Sequence, residues 1–597
     1  MGIIRRLGTD LTFSVRMAKT LRHVIPLARN PTRVFPDEME RLAAKYGDRP
    51  ALISDRETLT YAGLDARANR YARWAMQNGI GKGDTVCLLM PNRPEFVAIW
   101  LGVARAGGVT ALLNTNLTGM ALAYSVNIVR AKLVIVAAEL AESFASAEPL
   151  VDPGATIWIH GAAVGRRVDM AVAALDDAPI PKSERPALTH EDRCLYIYTS
   201  GTTGLPKAAN INHYRVLAAM VAFAQVMEAT ENDRMYDCLP LYHTVGGVIA
   251  AGAPLMAGAS VFIREKFSAH QFWDDVVEQQ CTLFQYVGEL CRYLVNAPEH
   301  PRARDHRIRL VCGNGLRPDV WMDFKTRFAI PHIREFYAAT EGNAVLFNFD
   351  ETPGAVGRCP FWTNPIFPMA VVKFDIASET PVRGPDGRCV RADHGEVGEL
   401  ISEILFDAMK PGQRYDGYAD RAASEQKVLH DVFEKGDKWF RSGDLVRRDR
   451  NGYYFFVDRI GDTFRWKGEN VATAEVAETI DAIDGVAEAN VYGVAIPGTD
   501  GRAGMAAIVP GGTFDLGRLH TEVHARLAPF ARPLFIRLQA SIDATSTFKQ
   551  QKFDLVREGF DPAAIADPLY FDDPRTNEYV PVTAALCRAI HSGEIRL

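Results

Sequence analysis

The chain has 597 residues, of which 48% are hydrophobic and 23% charged, and its formal net charge at pH 7 is −6. This composition is ordinary for globular domains and excludes a largely disordered protein. The net negative charge argues against a general nucleic-acid binder, so we expect no nucleic-acid partner. The nine cysteines are scattered without the spacing of a metal site or a disulfide framework. We therefore expect reduced thiols and a cytoplasmic location.

The first 35 residues form a basic segment. Seven Arg and Lys residues lie between Met1 and Arg33 against one acid, Asp10, and apolar side chains are interleaved with them. No unbroken apolar run follows, so the pattern is not that of a secretory signal. Two interpretations stay open. One is an amphipathic helix held peripherally on the inner face of a membrane, and the other is a helix packed on its own domain with a solvated basic face.

Apolar runs of strand length alternate with helical patterns through most of the remaining chain. Residues 86–90 and 133–136 have the pattern of buried strands, and residues 94–106 that of a helix. Such alternation predicts βαβ units with parallel sheets, whereas turn-like strings at 384–387 and 449–452 indicate antiparallel hairpins. The fold class is therefore α/β with mixed sheets.

A shift in pattern near residues 458–462 separates the last part of the chain as a compact α/β unit. We expect a basic segment at 1–35, a large N-terminal domain at 36–459 and a small C-terminal domain at 460–597.

Residues 238–263 contain no Lys, Arg, Asp or Glu, and this length is enough to cross a bilayer. The stretch also holds His243, Pro240 and Pro254 among many small residues. Prolines and helix-breaking glycines favour a buried α/β segment over a transmembrane helix.

A strand-like run at 195–198 leads into a loop of hydroxyl residues and glycines. Glycine lets backbone N–H groups approach an anion closely, hydroxyls add donors, and a following lysine adds positive charge. The spacing differs from that of a Walker loop, in which the lysine directly follows the second glycine. We predict a polyphosphate site formed by Thr199, Ser200, Gly201, Thr202, Thr203, Gly204 and Lys207.

Three other strings suit a bound nucleotide. Glu341, after an aromatic residue and a hydroxyl, can supply an oxygen ligand to magnesium, although a lone loop glutamate is more often only exposed. The turn Gly313–Asn314–Gly315 would let a flat base lie against backbone, and Asp444 can accept both ribose hydroxyls. Each signal alone is also that of an ordinary turn.

Together these strings resemble the adenylate-forming enzymes, which include acyl-CoA synthetases, luciferases and peptide-synthetase adenylation domains. The likeness extends from about Pro36 to the C-terminus through several ordered motifs. Most members carry glycine before the lysine matched here by Lys549, whereas this chain has Phe548. That departure, with strings at 461–473, 284–290 and 567–571, is similar to the fatty acid transport protein and very long-chain acyl-CoA synthetase subgroup.

The resemblance implies roles for residues of the nucleotide site. Tyr337 would contact adenine together with Gly313, Asn314 and Gly315, and Thr340 would lie near the α-phosphate. Magnesium would be held by Glu341 and Thr202, and the ribose would be bound by Asp444 and Arg459.

The resemblance also implies roles in catalysis. His243 would lie near the acyl carboxylate, with Gly246 and Gly247 leaving room for the acyl chain. Lys549 would contact the carboxylate and the α-phosphate, whereas Lys552 would be a solvated helix lysine. Gly468 would line the channel for the incoming thiol. The catalytic residues would then be Lys549, His243, Thr202 and Glu341.

Fold and reaction follow from the same resemblance. A large adenylation domain with a small β-barrel-like part would be joined to a mobile C-terminal domain that turns near Gly461. The reaction would be ATP- and Mg²⁺-dependent formation of an acyl-adenylate from a long- to very-long-chain fatty acid, followed by transfer to coenzyme A. An acyl-carrier protein as acceptor, fatty-acid transport without catalysis, and a homodimer remain open.

Overall fold

The computed structural model describes residues 3–162, 165–199, 205–363, 366–376, 378–405, 410–497, 499, 501–545, 550–595 and 597, with backbone alone at 3–7 and 411. The chain forms two compact units. The first comprises Met1–Pro368, Ser402–His430 and Gly436–Phe440, and the second comprises Met369–Ile401, Asp431–Lys435 and Arg441–Leu597.

The helices occur in both units. In chain order they are α1 (Ile3–Ala28), α2 (Phe35–Tyr46), α3 (Tyr61–Gln77), α4 (Pro94–Arg105), α5 (Gly119–Ile128), α6 (Ala141–Ala145), α7 (Val168–Ala173), α8 (His213–Val226), α9 (Ala253–Met256), α10 (Phe272–Glu278), α11 (Gly288–Asn296), α12 (Pro318–Arg327), α13 (Arg421–Glu425), α14 (Thr473–Asp481), α15 (Leu516–Arg526), α16 (Phe553–Glu558) and α17 (Ala584–His591). A π-helix spans Thr244–Gly252, and single 3₁₀ turns span Ala138–Leu140, Glu148–Leu150, Lys182–Glu184, Phe361–Thr363 and Pro411–Gln413.

The strands build several sheets. They are β1 (Pro50–Ile53), β2 (Thr58–Thr60), β3 (Thr85–Leu89), β4 (Val109–Leu112), β5 (Leu133–Ala137), β6 (Thr156–His160), β7 (Arg193–Thr199), β8 (Lys207–Asn212), β9 (Arg234–Asp237), β10 (Ser260–Ile263), β11 (Leu283–Val287), β12 (Leu310–Asn314), β13 (His332–Ala338), β14 (Val345–Asn348), β15 (Ala355–Arg358), β16 (Met369–Asp375), β17 (Thr380–Pro381), β18 (Val397–Glu403), β19 (Val428–His430), β20 (Lys438–Arg448), β21 (Tyr453–Arg459), β22 (Phe464–Trp466), β23 (Glu469–Val471), β24 (Val486–Ala495), β25 (Arg502–Pro510), β26 (Phe535–Leu538), β27 (Leu569–Asp573) and β28 (Glu578–Pro581).

Two mixed sheets position the candidate site in the first unit. One has the order β6-β5-β3-β4-β7-β8 and is parallel except for the β7-β8 hairpin. The other contains the parallel run β13-β12-β11-β9-β10-β1, with β14 and β2 antiparallel at its ends. β3 and β5 are buried along their whole length, because helices cover both faces of a parallel sheet. The predicted α/β class with parallel sheets is confirmed.

The second unit contains a five-stranded sheet, a hairpin and strands of the larger mixed sheet. One sheet has the order β24-β25-β26-β27-β28, and the β22-β23 hairpin lies near it in the chain. The strands β17-β16-β18-β20-β21 follow one another in an open order rather than closing on themselves. The structure differs here from the expected barrel-like part. The edge strand β17 has only two residues, and its Pro381 has no N–H to donate to a further strand.

The uncharged stretch 238–263 is divided among short elements of the first unit. It contains the π-helix Thr244–Gly252, α9 and β10, and most of its side chains are buried. The preference for a buried α/β segment is therefore confirmed. Over the described residues, no helix combines the length and the apolar character needed to cross a membrane.

Helix α1 packs on the first unit through one face. Phe13, Met17 and Leu27 are buried, and the Phe13 ring lies edge-on to Phe349 with centroids 5.7 Å apart. The Arg16 guanidinium lies 3.3 Å from the Glu228 carboxylate. The interpretation of α1 as a helix packed on its own domain is thus confirmed for this face.

The outer face of α1 remains amphipathic. Leu11, Val15 and Ile25 are 67%, 46% and 42% exposed, so apolar side chains stand in water there. Lys19 and Arg22 are exposed on the same helix. The structure leaves contact with a membrane surface as a prediction.

All nine cysteines are free and buried. Burial raises the pKa of the Cys87, Cys194 and Cys281 thiols. These thiols are therefore held in their protonated form at neutral pH.

Candidate active site

The predicted phosphate loop joins β7 to β8. Thr199 and Lys207 are opposite each other in the antiparallel register of this hairpin. Ser200, Gly201, Thr202, Thr203 and Gly204 lie outside the described residues. The predicted strand before the loop is present, and the element after it is a strand rather than a helix.

Tyr418 connects the hairpin to Glu341. Its hydroxyl donates to Glu341 Oε1 at 2.7 Å, and its ring lies 5.9 Å from Lys207 Nζ. Burial and the nearby carboxylate raise the pKa of Tyr418, and Thr199 also bonds its hydroxyl. Sequence reasoning missed Tyr418, because an isolated tyrosine in a polar string carries no signal of a partner far away in the chain.

A half-buried arginine supports the backbone next to Glu341. Arg215 on α8 donates through Nη2 to the carbonyl oxygens of Thr340 and Gly342, at 2.8 and 2.5 Å. Burial lowers the pKa of Arg215, with Glu341 among the carboxylates that oppose this shift. These bonds fix the turn on both sides of Glu341. Arg215 was also missed, since a helix arginine is usually solvated.

His243 directly precedes the π-helix. The next residue, Thr244, donates from Oγ1 to Thr340 Oγ1 at 3.2 Å. Because His243 is bonded to Thr244 and Thr340 to Glu341 in the chain, the backbone of His243 lies near the turn that carries Glu341. π-Helical turns are frequent at functional sites. The structure thus brings His243, Thr340, Glu341, Thr199 and Lys207 into one region of the first unit.

Gly246 and Gly247 do not leave space for an acyl chain. A Cβ on Gly246 would lie 2.3 Å from the Pro240 carbonyl oxygen, and one on Gly247 would lie 2.2 Å from that of Leu241. The expectation is wrong, because the room beside both glycines is filled by backbone. Their role is to let the π-helix approach residues 240–241.

The predicted adenine turn follows β12 and rests on a buried carboxyl group. Gly313 and Asn314 end the strand, and Gly315 has a φ of +77°. The Leu316 N–H donates to Glu335 Oε1 at 3.1 Å, and the Tyr286 hydroxyl donates to Oε2 at 2.5 Å. Glu335 is 2% exposed, and burial raises its pKa to about 8.

Close backbone packing explains two glycines at this turn. A Cβ on Gly313 would lie 2.3 Å from the Tyr286 carbonyl oxygen, and one on Gly288 would lie 1.8 Å from that of Gly315. Asn314 Oδ1 is buried and accepts no hydrogen bond from the described residues. Asn314 Oδ1 is therefore available to accept a further hydrogen bond at this turn.

Tyr337 lies on β13 beside this turn. The parallel register pairs Gly313 with Glu335, so Tyr337 occupies the next position on the same face as Glu335. It is 9% exposed. The register therefore places Tyr337 on the strand next to the one that ends at the Gly313–Asn314–Gly315 turn, and a shared role in binding adenine stays a prediction.

The second unit carries the predicted ribose residues. Asp444 on β20 pairs in register with Arg459 at the end of β21, and Arg459 Nε lies 3.9 Å from Asp444 Oδ1. Ser442 Oγ donates to the Leu400 carbonyl at 2.6 Å and accepts the Asp444 N–H at 3.1 Å. These bonds hold Asp444 in place, with the guanidinium beside it.

Gly468 lies in the turn of the β22-β23 hairpin. It has a φ of +84°, and the preceding Lys467 has a φ of +52°. Two successive residues with positive φ are typical of a type I′ hairpin turn. The structure thus places Gly468 at an exposed hairpin tip in the second unit.

Lys549 lies outside the described residues, but Lys552 is described and the expectation for it is wrong. Its side chain is 18% exposed, directly before α16, and lies 3.5 Å from Asp462 Oδ2. Its Nζ donates to Thr473 Oγ1 at 2.6 Å. Lys552 is therefore part of a polar network rather than a solvated helix lysine.

Within the described chain, one His/Asp cluster has the composition of a metal site. His520 and His524 each bond Asp572 through Nε2, at 3.1 and 2.8 Å. Arg532 Nη1 lies 3.3 Å from His524 Nδ1, and arginine can only donate. His524 therefore carries its proton on Nε2, the atom that a metal would need unprotonated. The cluster is accounted for by its own hydrogen bonds.

Comparison with known proteins agrees with this geometry. The family model of AMP-binding enzymes matches residues 39–402, and the model of the AMP-binding enzyme C-terminal domain matches residues 475–549. Long-chain fatty acid transport protein 2 of Rattus norvegicus is 40% identical over 599 residues, covering 98% of this chain and 96% of that protein. Long-chain fatty acid transport protein 1 of Homo sapiens is 40% identical over 600 residues, covering 98% and 91%.

Solved structures share the fold. ATP-bound MatB from Rhodopseudomonas palustris matches with a TM-score of 0.73 at 24% identity, covering 87% of this chain and 98% of that one. The fatty acyl CoA synthetase of Mycobacterium tuberculosis matches with a TM-score of 0.62 at 24% identity, covering 88% and 98%. The anthranilate CoA ligase AuaEII, in complex with anthranoyl-AMP, has a TM-score of 0.75 at 20% identity, covering 88% and 96%.

The family models and the fold define an AMP-forming ligase, and the chain belongs to the AMP-binding enzyme family. Within that family it falls with the long-chain fatty acid transport proteins, which it matches over nearly the whole length of both chains.

The buried Glu335 yields a pH prediction. Its folded pKa of about 8 lies above the ordinary value of 4.5 for a glutamate, so the folded state keeps a proton that the unfolded state releases. The stabilisation is complete below pH 4.5 and is lost as pH rises toward 8, by up to about 1.4 kcal/mol per pH unit. Glu335→Gln mimics the protonated group, so the melting temperature of this variant should fall less with pH than that of the wild type.

Exposed Glu231→Gln is the matched control, and its melting temperature should follow the wild-type pH dependence. Melting curves from pH 5 to 9 test the assignment. Equal pH dependence in Glu335→Gln and the wild type would show that Glu335 is ionised in the folded protein.

Proposed function

We propose that this protein is an ATP-dependent fatty acid:CoA ligase acting on long- to very-long-chain acids. The observation that carries the proposal is the gathering of Thr199, Lys207, Thr340 and Glu341 around Tyr418 in a chain of this family. The 40% identity with long-chain fatty acid transport proteins supports the substrate class.

The reaction has two steps. The fatty-acid carboxylate attacks the α-phosphate of ATP, and pyrophosphate leaves with the electron pair of the broken P–O bond. The thiol of coenzyme A then attacks the acyl carbon and AMP leaves, which forms the thioester. Most of the rate enhancement comes from holding reacting groups and offsetting their charge.

Residues of the first unit suit the nucleotide and its phosphates. Lys207 offers positive charge and Thr199 a hydroxyl at the mouth of the phosphate loop. Asn314 Oδ1, buried without a described donor, can accept the amino group of adenine. Tyr337 offers a ring for the base, and family resemblance assigns Asp444 and Arg459 to the ribose.

Glu341 is our candidate magnesium ligand, with Thr202 as the second. The donor set fits, because Mg²⁺ prefers carboxylate and hydroxyl oxygens and takes few of them from protein. The Tyr418 hydroxyl donates to Glu341 Oε1 and so fixes the orientation of the carboxylate. Bound magnesium would neutralise phosphate charge during the first step.

An acyl-carrier protein is the second candidate acceptor. Its pantetheine thiol is the same as that of coenzyme A, so the adenylation residues would be unchanged. Transport without catalysis is the third candidate, and the relatives' name suggests it. The absence of a membrane-crossing helix over the described residues gives it no support.

We also propose a peripheral location on an anionic membrane surface. Exposed Leu11, Val15 and Ile25 share the outer face of α1 with basic residues. A groove of about 220 Å³ beside α1 is lined by Arg22 and Arg33, among others. Such a surface suits anionic headgroups and shallow apolar contact.

Lys549→Ala should reduce fatty-acid-dependent ATP–pyrophosphate exchange by about 100-fold or more, because it removes the charge poised on the carboxylate and α-phosphate. Transfer from supplied acyl-AMP to coenzyme A should continue. Both rates are measured across medium- to very-long-chain acids, with an acyl-carrier protein as the alternative acceptor. Lys435→Ala, at an exposed lysine, is the control. Exchange at the wild-type rate in Lys549→Ala would contradict the assignment.

Glu341→Gln should raise the Mg²⁺ concentration for half-maximal exchange by about tenfold or more, because a hard cation prefers the charged oxygen. The amide oxygen still accepts from Tyr418, so the melting temperature should stay near that of the wild type. Glu425→Gln, at an exposed glutamate of α13, should change neither quantity. An unchanged Mg²⁺ titration in Glu341→Gln would remove this residue from the metal site.

The combined variant Lys19→Gln/Arg22→Gln should bind anionic vesicles more weakly, by about 1 kcal/mol per charge, and wild-type binding should weaken with salt. Point variants are preferred to deletion of α1, which would uncover the buried contacts of Phe13 and Met17. The control Lys266→Gln/Arg307→Gln removes exposed charges elsewhere on the first unit. Co-sedimentation that is equal for all three proteins would argue against membrane contact through α1.

A further inference from the structure

The residues that follow Lys549 in the chain are firmly held within the second unit. Gln550 Nε2 donates to the Ala489 carbonyl at 3.0 Å. The Gln551 carbonyl accepts from Asn490 Nδ2 at 3.0 Å. Both hydrogen bonds join Gln550 and Gln551 to β24, so the two residues that directly follow Lys549 are held in place.

Lys552 extends this base toward another part of the unit. Its Nζ donates to Thr473 Oγ1 at 2.6 Å and lies 3.5 Å from Asp462 Oδ2. Thr473 in turn donates to Asp458 Oδ2, through its N–H at 2.6 Å and its hydroxyl at 3.0 Å. A continuous polar chain thus runs from Lys552 through Thr473 to Asp458.

Asp458 needs such a partner, because it is 3% exposed and a buried carboxylate is costly without compensation. The Thr463 hydroxyl also donates to Asp458 Oδ2, at 3.1 Å. Lys552 is the cation beside both Asp458 and Asp462. Its charge therefore offsets two carboxylates on either side of Ile460–Gly461.

Asp458 directly precedes Arg459, and Gly461 has a φ of +98° with open space around it. The hydrogen bonds and charges of this network therefore hold the chain on both sides of Gly461. The last member of the network, Lys552, directly follows Gln550 and Gln551, which are bonded to β24.

We propose that Lys552 is a positioning residue, which ties the segment bearing Lys549 to residues 458–473 so that both keep one arrangement during adenylation. The inference rests on the proposed function, in which Lys549 acts in the first step. Lys552 itself touches Thr473 and Asp462 rather than a substrate.

The test compares Lys552→Met, which keeps the length but loses the charge, with Lys552→Arg, which keeps the charge. Arg557→Met is the matched control, because Arg557 lies on the adjoining α16 and is 66% exposed. We measure kcat and KM for ATP–pyrophosphate exchange, thioester formation from supplied acyl-AMP, and melting temperature.

Lys552→Met should lower kcat for exchange by about 10- to 100-fold, since displacing a reacting group by about 1 Å has an effect of this size. The KM for ATP and transfer from acyl-AMP should change little, and Lys552→Arg should recover most of the lost rate. Arg557→Met should behave like the wild type.

A purely structural role would lower both half-reactions in proportion to lost stability. Equal losses in the two steps, or no loss in Lys552→Met, would overturn the proposal. If Lys552→Met fails to fold, Asp462→Asn tests the same link, and unaltered exchange in that variant would likewise overturn it. Absence of fatty-acid-dependent exchange in the wild type would instead refute the proposed function, so the two failures are distinguishable.

Discussion

The candidate nucleotide site depends on one buried carboxyl group. Glu335 joins the Tyr286 hydroxyl of β11 to the Leu316 amide after β12, and it belongs to β13 itself. Three adjacent parallel strands are thereby fixed at the edge where their carboxyl ends meet. Ligands bind at this edge in open α/β sheets, so the alignment of Tyr337 and the predicted adenine turn depends on the hydrogen bonds of Glu335.

A second constraint acts on the turn that carries Glu341. Arg215 is half-buried with its charge directed at two backbone carbonyls, an arrangement that offsets part of its desolvation. The carboxylate of Glu341 is in turn bonded by Tyr418. Backbone and side chain are thus held by different partners, and this leaves Glu341 little freedom to move away from Tyr418.

Local sequence was enough to predict much of this architecture. Short motifs with ordered glycines, hydroxyls and charges marked the β7-β8 loop, the Gly313–Asn314–Gly315 turn and Glu341 as candidates, because each motif consists of consecutive residues. Alternating apolar runs likewise predicted the parallel sheets. Boundaries between short buried elements, such as the π-helix Thr244–Gly252, have no such signature.

Partners distant in the chain could not be predicted. Tyr418 and Glu341 are separated by 77 residues, and Lys552 and Thr473 by 79, so only folding reveals these bonds. Gly246 and Gly247 show the same limit. Their small size suggests free space in the sequence, but in the structure that space is filled by the backbone of residues 240–241. Packing decides whether the absence of a side chain creates a cavity or permits contact.

The burial of all nine cysteines has a chemical consequence. An acyl-adenylate is an electrophile that any accessible thiolate can intercept, and a thioester product can exchange its acyl group with a free thiol. Thiolates are the reactive species, and burial keeps the resolved thiols of this chain protonated. In the proposed ligase, these buried thiols therefore do not compete with the acceptor thiol for the activated acyl group.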